Sequence, residues 1–156
     1  MALTVGINSY IDVTDATAYF ADRLYVDDWT GATDSDKSKA LLMARRTIDR
    51  QAFHGYRTDP DQLLAWPRSD IPGIDAATVP QDILDAQCEL ALAFLREDLT
   101  ADDSTRGVKR LQAGSVAIEY DGSAPTKSLP DAVLAALQPF LDGAIVDTGN
   151  SLKMVM

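Results

Sequence analysis

The 156 residues include one cysteine, Cys88, and one histidine, His54. A lone cysteine excludes an intrachain disulfide, so nothing argues for a stapled secreted scaffold. A lone histidine, with no nucleophile or ligand set spaced around it, gives no metal or catalytic centre, and its place before Gly55 at a helix end is explained by the helix dipole. Basic residues are also scarce: 14 Lys and Arg stand against 24 Asp and Glu, for a formal charge of -10. That balance cannot easily neutralise phosphates along a nucleic acid unless the bases cluster strongly. No hydrophobic run approaches membrane-spanning length, and the first ten residues lack both a basic n-region and a long apolar segment, so the chain reads as intracellular and soluble when made. There is no phosphate-cradling glycine loop, nucleophile elbow or calcium loop. The adjacent acids Asp27-Asp28 and Asp102-Asp103 fall in loops, where solvation or helix ends explain them better than shared acid and base roles. No catalytic, metal or cofactor-binding residue is assigned, and the chain is expected not to be an enzyme.

What is present is apolar periodicity. The hydrophobic share of 46% is that of an ordinary globular protein. The length fits one domain over 1–156, with a core at about 14–140 and a C-terminal tail at about 141–156. From Pro80 onward, Ile83, Leu84, Gln87, Cys88, Leu90, Ala91, Phe94 and Leu95 fill two adjacent helical stripes, while Asp82, Asp85, Glu89 and Arg96 keep one narrow polar edge. Such a helix is covered on most sides, and Pro80 suits its first turn.

Around it, Met1–Val13 suits an extended arm. Thr14 reads as an N-cap for a helix to about Tyr25, and 26–33 as a turn anchored by Trp29, packing over helix ends rather than touching a ligand. Asp34, Ser35 and Asp36 open a helix to about Phe53, with Leu41, Ala44, Ile48 and Ala52 inward. Lys37, Lys39, Arg45, Arg46, Asp49 and Arg50 lie outward. This basic cluster is by default a solvated face; the competing reading is a patch that meets an acidic partner. Residues 107–120 make a hairpin, with Val116, Ile118 and Tyr120 on one face of the return strand. Pro130 starts a last helix with Val133, Leu134, Leu137 and Phe140 inward, interrupted near Pro139. The fold class is mainly α: a bundle of three to four helices with a small β-hairpin and extended N- and C-terminal arms.

Between the two long helices, residues 56–73 carry three prolines and two aromatics, which excludes one regular element but allows an ordered loop pinned by Trp66. Here a family pattern emerges. Gly55-Tyr-Arg-Thr-Asp, Gln62-x-Leu64-x-Trp66-Pro67-Arg68-Ser69, and Val79-Pro80 opening a helix with Ala86-Gln87-x-Glu89-Leu90-Ala91 resemble the head-to-tail adaptors of tailed bacteriophages, a family also labelled DnaT-like single-stranded DNA-binding protein. Gly107-Val108-Lys109-Arg110 and Gly114-Ser115-Val116-Ala117-Ile118-Glu119-Tyr120 resemble that family's β element.

The resemblance implies a virion neck protein, made in the host cytoplasm, forming a homo-oligomeric ring of about twelve copies with closed cyclic symmetry. The portal protein would sit on one face and a stopper or tail-completion protein on the other. Genomic DNA would pass without tight binding, since carboxylates lining the channel repel phosphate. Trp66, Pro67 and Arg68 are assigned as loop anchor and subunit contact, although a buried-core role competes for Trp66. Arg46 and Arg50 are assigned to an inter-subunit salt-bridge face. Leu152, Lys153, Met154, Val155 and Met156 form a portal-docking tail, against a frayed end packing on its own domain. The alternative is a true single-stranded DNA binder, in which Arg45, Arg46, Arg50, Arg57, Arg68, Lys109 and Arg110 converge beside Tyr56 and Trp66. A third class is an assembly chaperone that leaves the particle.

Overall fold

The computed structural model describes residues 2–100, 110–113, 116–119 and 129–142, with side chains outside the two segments between 110 and 119. Among these residues, five α-helices form: α1 (Val13–Ala21), α2 (Asp27–Gly31), α3 (Asp34–Asp49), α4 (Gln81–Arg96) and α5 (Asp131–Leu137), the last continued by a 3-10 turn, Gln138–Phe140. Two small antiparallel ladders accompany them: β1 (Tyr56–Arg57) with β2 (Arg68–Ser69), and β3 (Arg110–Ala113) with β4 (Val116–Glu119). The mainly helical class is observed. The chain divides into two compact units, Met1–Asp98 with Leu129–Ile145, and Leu99–Ser128 with Val146–Met156.

In the first unit α4 packs against α1, α2, α3 and α5. Its sequence explains this: Ile83, Ala86, Gln87, Cys88, Leu90, Ala91 and Leu92 are all buried, a band too wide for a helix with one apolar face. Pro80 stands at the N-cap position, one residue ahead of the first turn, with φ -58° and ψ 145°. Its carbonyl accepts from the Ile83 and Leu84 amides at 3.0 and 3.4 Å. α5 repeats the device, with Pro130 accepting from Val133 and Leu134. Val133, Leu137 and Phe140 are buried as expected, while Leu134 is half-buried.

Several boundaries differ from the sequence reading, each through a specific competing bond. Asp12, not Thr14, caps α1, its carboxylate accepting the Asp15 amide at 2.8 Å. α1 stops at Ala21 rather than near Tyr25: the Arg23 amide closes back on the Phe20 carbonyl at 3.2 Å, and Tyr25 takes φ +61°, where a right-handed helix cannot continue. The turn expected at 26–33 contains α2, which buries Trp29 completely. Thr33 caps α3, accepting from the Asp36 amide at 3.2 Å. α3 ends at Asp49 and not Phe53, since Phe53 bridges Leu141, His54 donates its amide to the Phe140 carbonyl, and Ala52 accepts from Asp142. Ala52 is accordingly exposed. α4 ends at Arg96, where Glu97 turns extended.

The N-terminal arm is not helical. A turn over residues 4–9, closed by a Val5 to Ser9 bridge, is tied by Asn8, whose side chain accepts from the Thr4 amide at 2.7 Å and donates to the Ala2 carbonyl at 2.9 Å. The turn directs Ser9, Tyr10 and Ile11 into the core. In the second unit, β3 and β4 pair Arg110 with Glu119 and Ala113 with Val116. The expected antiparallel pairing is there; the connecting residues 114–115 and the predicted flanks at 107–109 and Tyr120 lie outside the described residues.

Candidate functional site

The Trp66-Pro67-Arg68 turn is where loop, helix and C-terminal helix meet. Trp66 is 1% exposed and its ring lies edge-on to Phe53 and Phe140, with centroids 5.4 and 5.3 Å away. The peptide bond to Pro67 is cis. Arg68 runs back beneath the loop. Its guanidinium donates to the carbonyls of Ala65, Phe53, His54 and Gly55 at 3.2, 3.3, 2.8 and 2.7 Å, and stacks over the Phe53 ring. Gly55 allows the close approach: its φ is +69°, and a β-carbon there would sit 2.1 Å from the Ser69 carbonyl oxygen. Burial, then the nearby Arg57, holds the Arg68 guanidinium below its ordinary range. These four carbonyls occupy most of a guanidinium's five donors, so Arg68 is spent inside its own loop.

A second constellation is buried. Gln87 of α4 donates to Ser9 Oγ at 2.7 Å and to the Leu41 carbonyl at 2.9 Å, and accepts from the Tyr10 amide at 3.0 Å. The Tyr10 hydroxyl donates to Asp49 Oδ1 and accepts from the Trp66 amide at 3.2 Å. Arg45 completes the group, reaching Asp49 at 3.5 Å and the Asn8 carbonyl at 3.0 Å. Burial raises both the Tyr10 hydroxyl and the Asp49 carboxyl above their ordinary values; the Asp49 charge adds to the first, whereas the Tyr10 and Arg45 bonds oppose the second. Arg45 and Asp49 are therefore half-buried and turned toward the arm, not members of a wholly outward face. Every polar group in this set has a partner, which is the pattern of a structural network rather than a poised catalytic site.

Four further cations, Arg23, Arg96, Lys37 and Lys39, are also paired. Arg23 grips Glu89 through two bonds of 2.6 and 2.8 Å, with Tyr19 donating to the same carboxylate. Arg96 pairs with Asp28 at 3.0 Å. Lys37 lies over the Trp29 ring and within 3.8 Å of Asp34, and Lys39 is 3.3 Å from Asp36. Arg46, Arg50, Arg57 and Tyr56 are exposed. The convergence of seven bases beside aromatics does not form among the described side chains: Arg45 and Arg68 are engaged internally and Trp66 is buried. Lys109 and the docking tail Leu152, Lys153, Met154, Val155 and Met156 lie outside the described residues. Sequence reasoning did not single out Leu24 and Tyr25, which are the most exposed large apolar side chains described. Their helical spacing had placed them inside α1.

Two surface grooves border α3. One, of about 550 Å³, lies among Asp27, Asp28, Ala40, Met43, Phe94 and Leu95. The other, of about 560 Å³, is formed by Ala2, Leu3, Leu42 and Met43 with Lys39 and Arg46. Among the described residues no group of three or more His, Cys, Asp or Glu is arranged to hold a metal ion.

No curated protein and no solved structure matches the chain. A family match extends over residues 2–156, to the family described as "Putative DnaT-like ssDNA binding protein". Because it spans nearly the whole sequence, the chain belongs to this DnaT-like family.

Proposed function

We propose that the chain is a non-catalytic structural adaptor at the neck of a tailed phage. Copies form a homo-oligomeric ring beneath the portal protein, receive a stopper or tail-completion protein on the other face, and surround the DNA channel. One observation supports this reading: Arg23, just after α1, Arg96 at the end of α4 and Arg68 of the Trp66 loop are engaged in internal bonds, while a net charge of -10 remains. Among the described residues this leaves mainly Arg46, Arg50 and Arg57 available on an acidic chain, which suits a wall past which DNA slides better than a grip. Trp66 and Pro67 shape the loop, Arg46 and Arg50 remain available for contacts between subunits, and 152–156 is the portal anchor.

Native mass spectrometry of the chain mixed with its portal ring tests the reading. Binding of a full ring of copies, lost on deletion of Ser151–Met156, is the expected result; absence of any association would overturn it.

The second reading, single-stranded DNA binding, is favoured by the family description together with exposed Arg46, Arg50, Arg57 and Tyr56. It requires oligonucleotide affinity that falls steeply as salt rises.

A further inference from the structure

We propose that one copy inserts its Leu24–Tyr25 loop into the groove between the N-terminal arm and α3 of a second copy, making a head-to-tail contact. The loop is an unusual object. Leu24 is 75% exposed and Tyr25 80% exposed, yet Tyr25 holds φ +61°, a conformation that a tyrosine rarely adopts. It is kept there from two sides, by Arg23, which donates to the Leu24 carbonyl at 2.6 Å, and by Arg96, which donates to the Tyr25 carbonyl. Arg23 is in turn fixed by Glu89, and Arg96 by Asp28. Strain maintained by surrounding bonds, on a segment that displays two large apolar side chains to solvent, marks a presented contact rather than slack chain.

The groove supplies the complement. Its apolar walls are Ala2, Leu3, Leu42 and Met43, and its edges carry Arg46, which is exposed, and Lys39, which is paired with Asp36. Leu24 and Tyr25 are flanked by the exposed acids Asp22 and Asp27, while the adjoining Arg23 and Arg96 are each paired with a carboxylate of their own copy, Glu89 and Asp28. An acidic-flanked apolar knob therefore meets a basic-edged apolar slot. The neighbouring groove shares Lys39 but is rimmed by Asp27, Asp28 and Asp36, so its edge is net acidic and the wrong sign for the same knob. Within one copy the two arginines hold the loop out in solvent, so the slot is filled by a second copy. Knob and slot are different surfaces, so each added copy leaves one of each open, the condition for a ring or filament rather than an isologous dimer. The pairwise contact stands on this geometry; only its closure into a ring rests on the adaptor reading.

Disulfide trapping on the full chain tests it, with buried Cys88 left in place. Mixing Tyr25→Cys with Leu42→Cys is expected to give a covalent dimer in several-fold excess over a Tyr56→Cys and Leu42→Cys control. Arg46→Glu should reduce trapping about tenfold, and Asp22→Lys on the knob-bearing copy should restore it. Trapping no better than the control, or stronger Tyr25→Cys self-linkage, would overturn the contact. Portal binding is read on the wild-type chain in parallel. Trapping without portal binding would retain the contact and remove the adaptor reading, and portal binding without trapping would do the reverse.

Discussion

Replacing Gln87 with alanine should open the N-terminal arm. The side chain is fully buried, and its three hydrogen bonds join the arm to both long helices. Removing it leaves the Tyr10 amide without an acceptor, at about 1–3 kcal/mol, and removes two donated bonds worth about 0.5–1.5 kcal/mol each. Water entering the vacated space reduces the total to about 2–4 kcal/mol. Ser9 limits the damage, since its hydroxyl still donates to the Ile11 carbonyl at 2.7 Å. For a chain of this length the loss corresponds to a fall in melting temperature of about 5–15 °C. Urea denaturation followed by the fluorescence of buried Trp29 and Trp66 measures it. Gln87→Leu separates the contributions, because leucine restores about 1.5–3 kcal/mol of apolar burial without restoring an acceptor. Both variants should expose the Tyr10 amide to faster hydrogen exchange. A loss below about 1 kcal/mol for Gln87→Ala, with Tyr10 protected as in wild type, would refute the assignment of this network as the clasp of the arm.

Other expectations follow from single side chains. Gly55→Ala should cost more than about 2 kcal/mol, from left-handed strain plus the clash with the Ser69 carbonyl, while Gly31→Ala, with open space at its β-carbon, should stay within about 0.5 kcal/mol; paired melting curves compare them. Arg68→Lys keeps the charge but cannot span four carbonyls, and should lose about 1.5–3 kcal/mol in denaturant titrations. Burial pushes the Cys88 thiol up to about 12, so a thiol reagent at neutral pH should label native protein far more slowly than urea-unfolded protein. Asp49 has a raised folded pKa, chiefly through burial, so its contribution is most favourable below the ordinary 3.8 and is lost as pH rises through the folded value. The stability of Asp49→Asn relative to wild type should therefore climb over that interval in paired denaturation curves.

The helical framework was legible because its signals are local. The double stripe of α4 implied cover on most sides, and α4 does touch the other four helices of its unit. The prolines at 80 and 130 marked both helix starts to within a residue. What periodicity could not supply was competition for backbone bonds from distant residues. Nothing in the local pattern at Leu24 and Tyr25 signals that Arg96, 71 residues on, takes the Tyr25 carbonyl. Nor does the pattern at Phe53 reveal its bridge to Leu141. Trp66 was legible as a pin for its loop, but the β1–β2 ladder that closes the loop has only two residues per strand, too few for an alternation to register. Arg45 and Asp49 looked like any charged pair at helical spacing; their half-burial depends on the arm folding over them.

Three of the arginines share a task that bears directly on function. Arg23, Arg68 and Arg96 each donate to loop carbonyls where the chain leaves helix: Leu24, then Ala65 with Phe53 to Gly55, then Tyr25. A guanidinium with several fixed donors satisfies irregular backbone that no ladder or helix can, which is how long connections stay ordered with so little sheet. The same cation cannot also neutralise a phosphate without releasing those carbonyls. Among the described residues, any grip on nucleic acid therefore falls mainly to Arg46, Arg50 and Arg57, on a chain whose net charge is -10. The contact proposed for the Leu24–Tyr25 tip draws instead on apolar surface, since these are the most exposed large apolar side chains among the described residues.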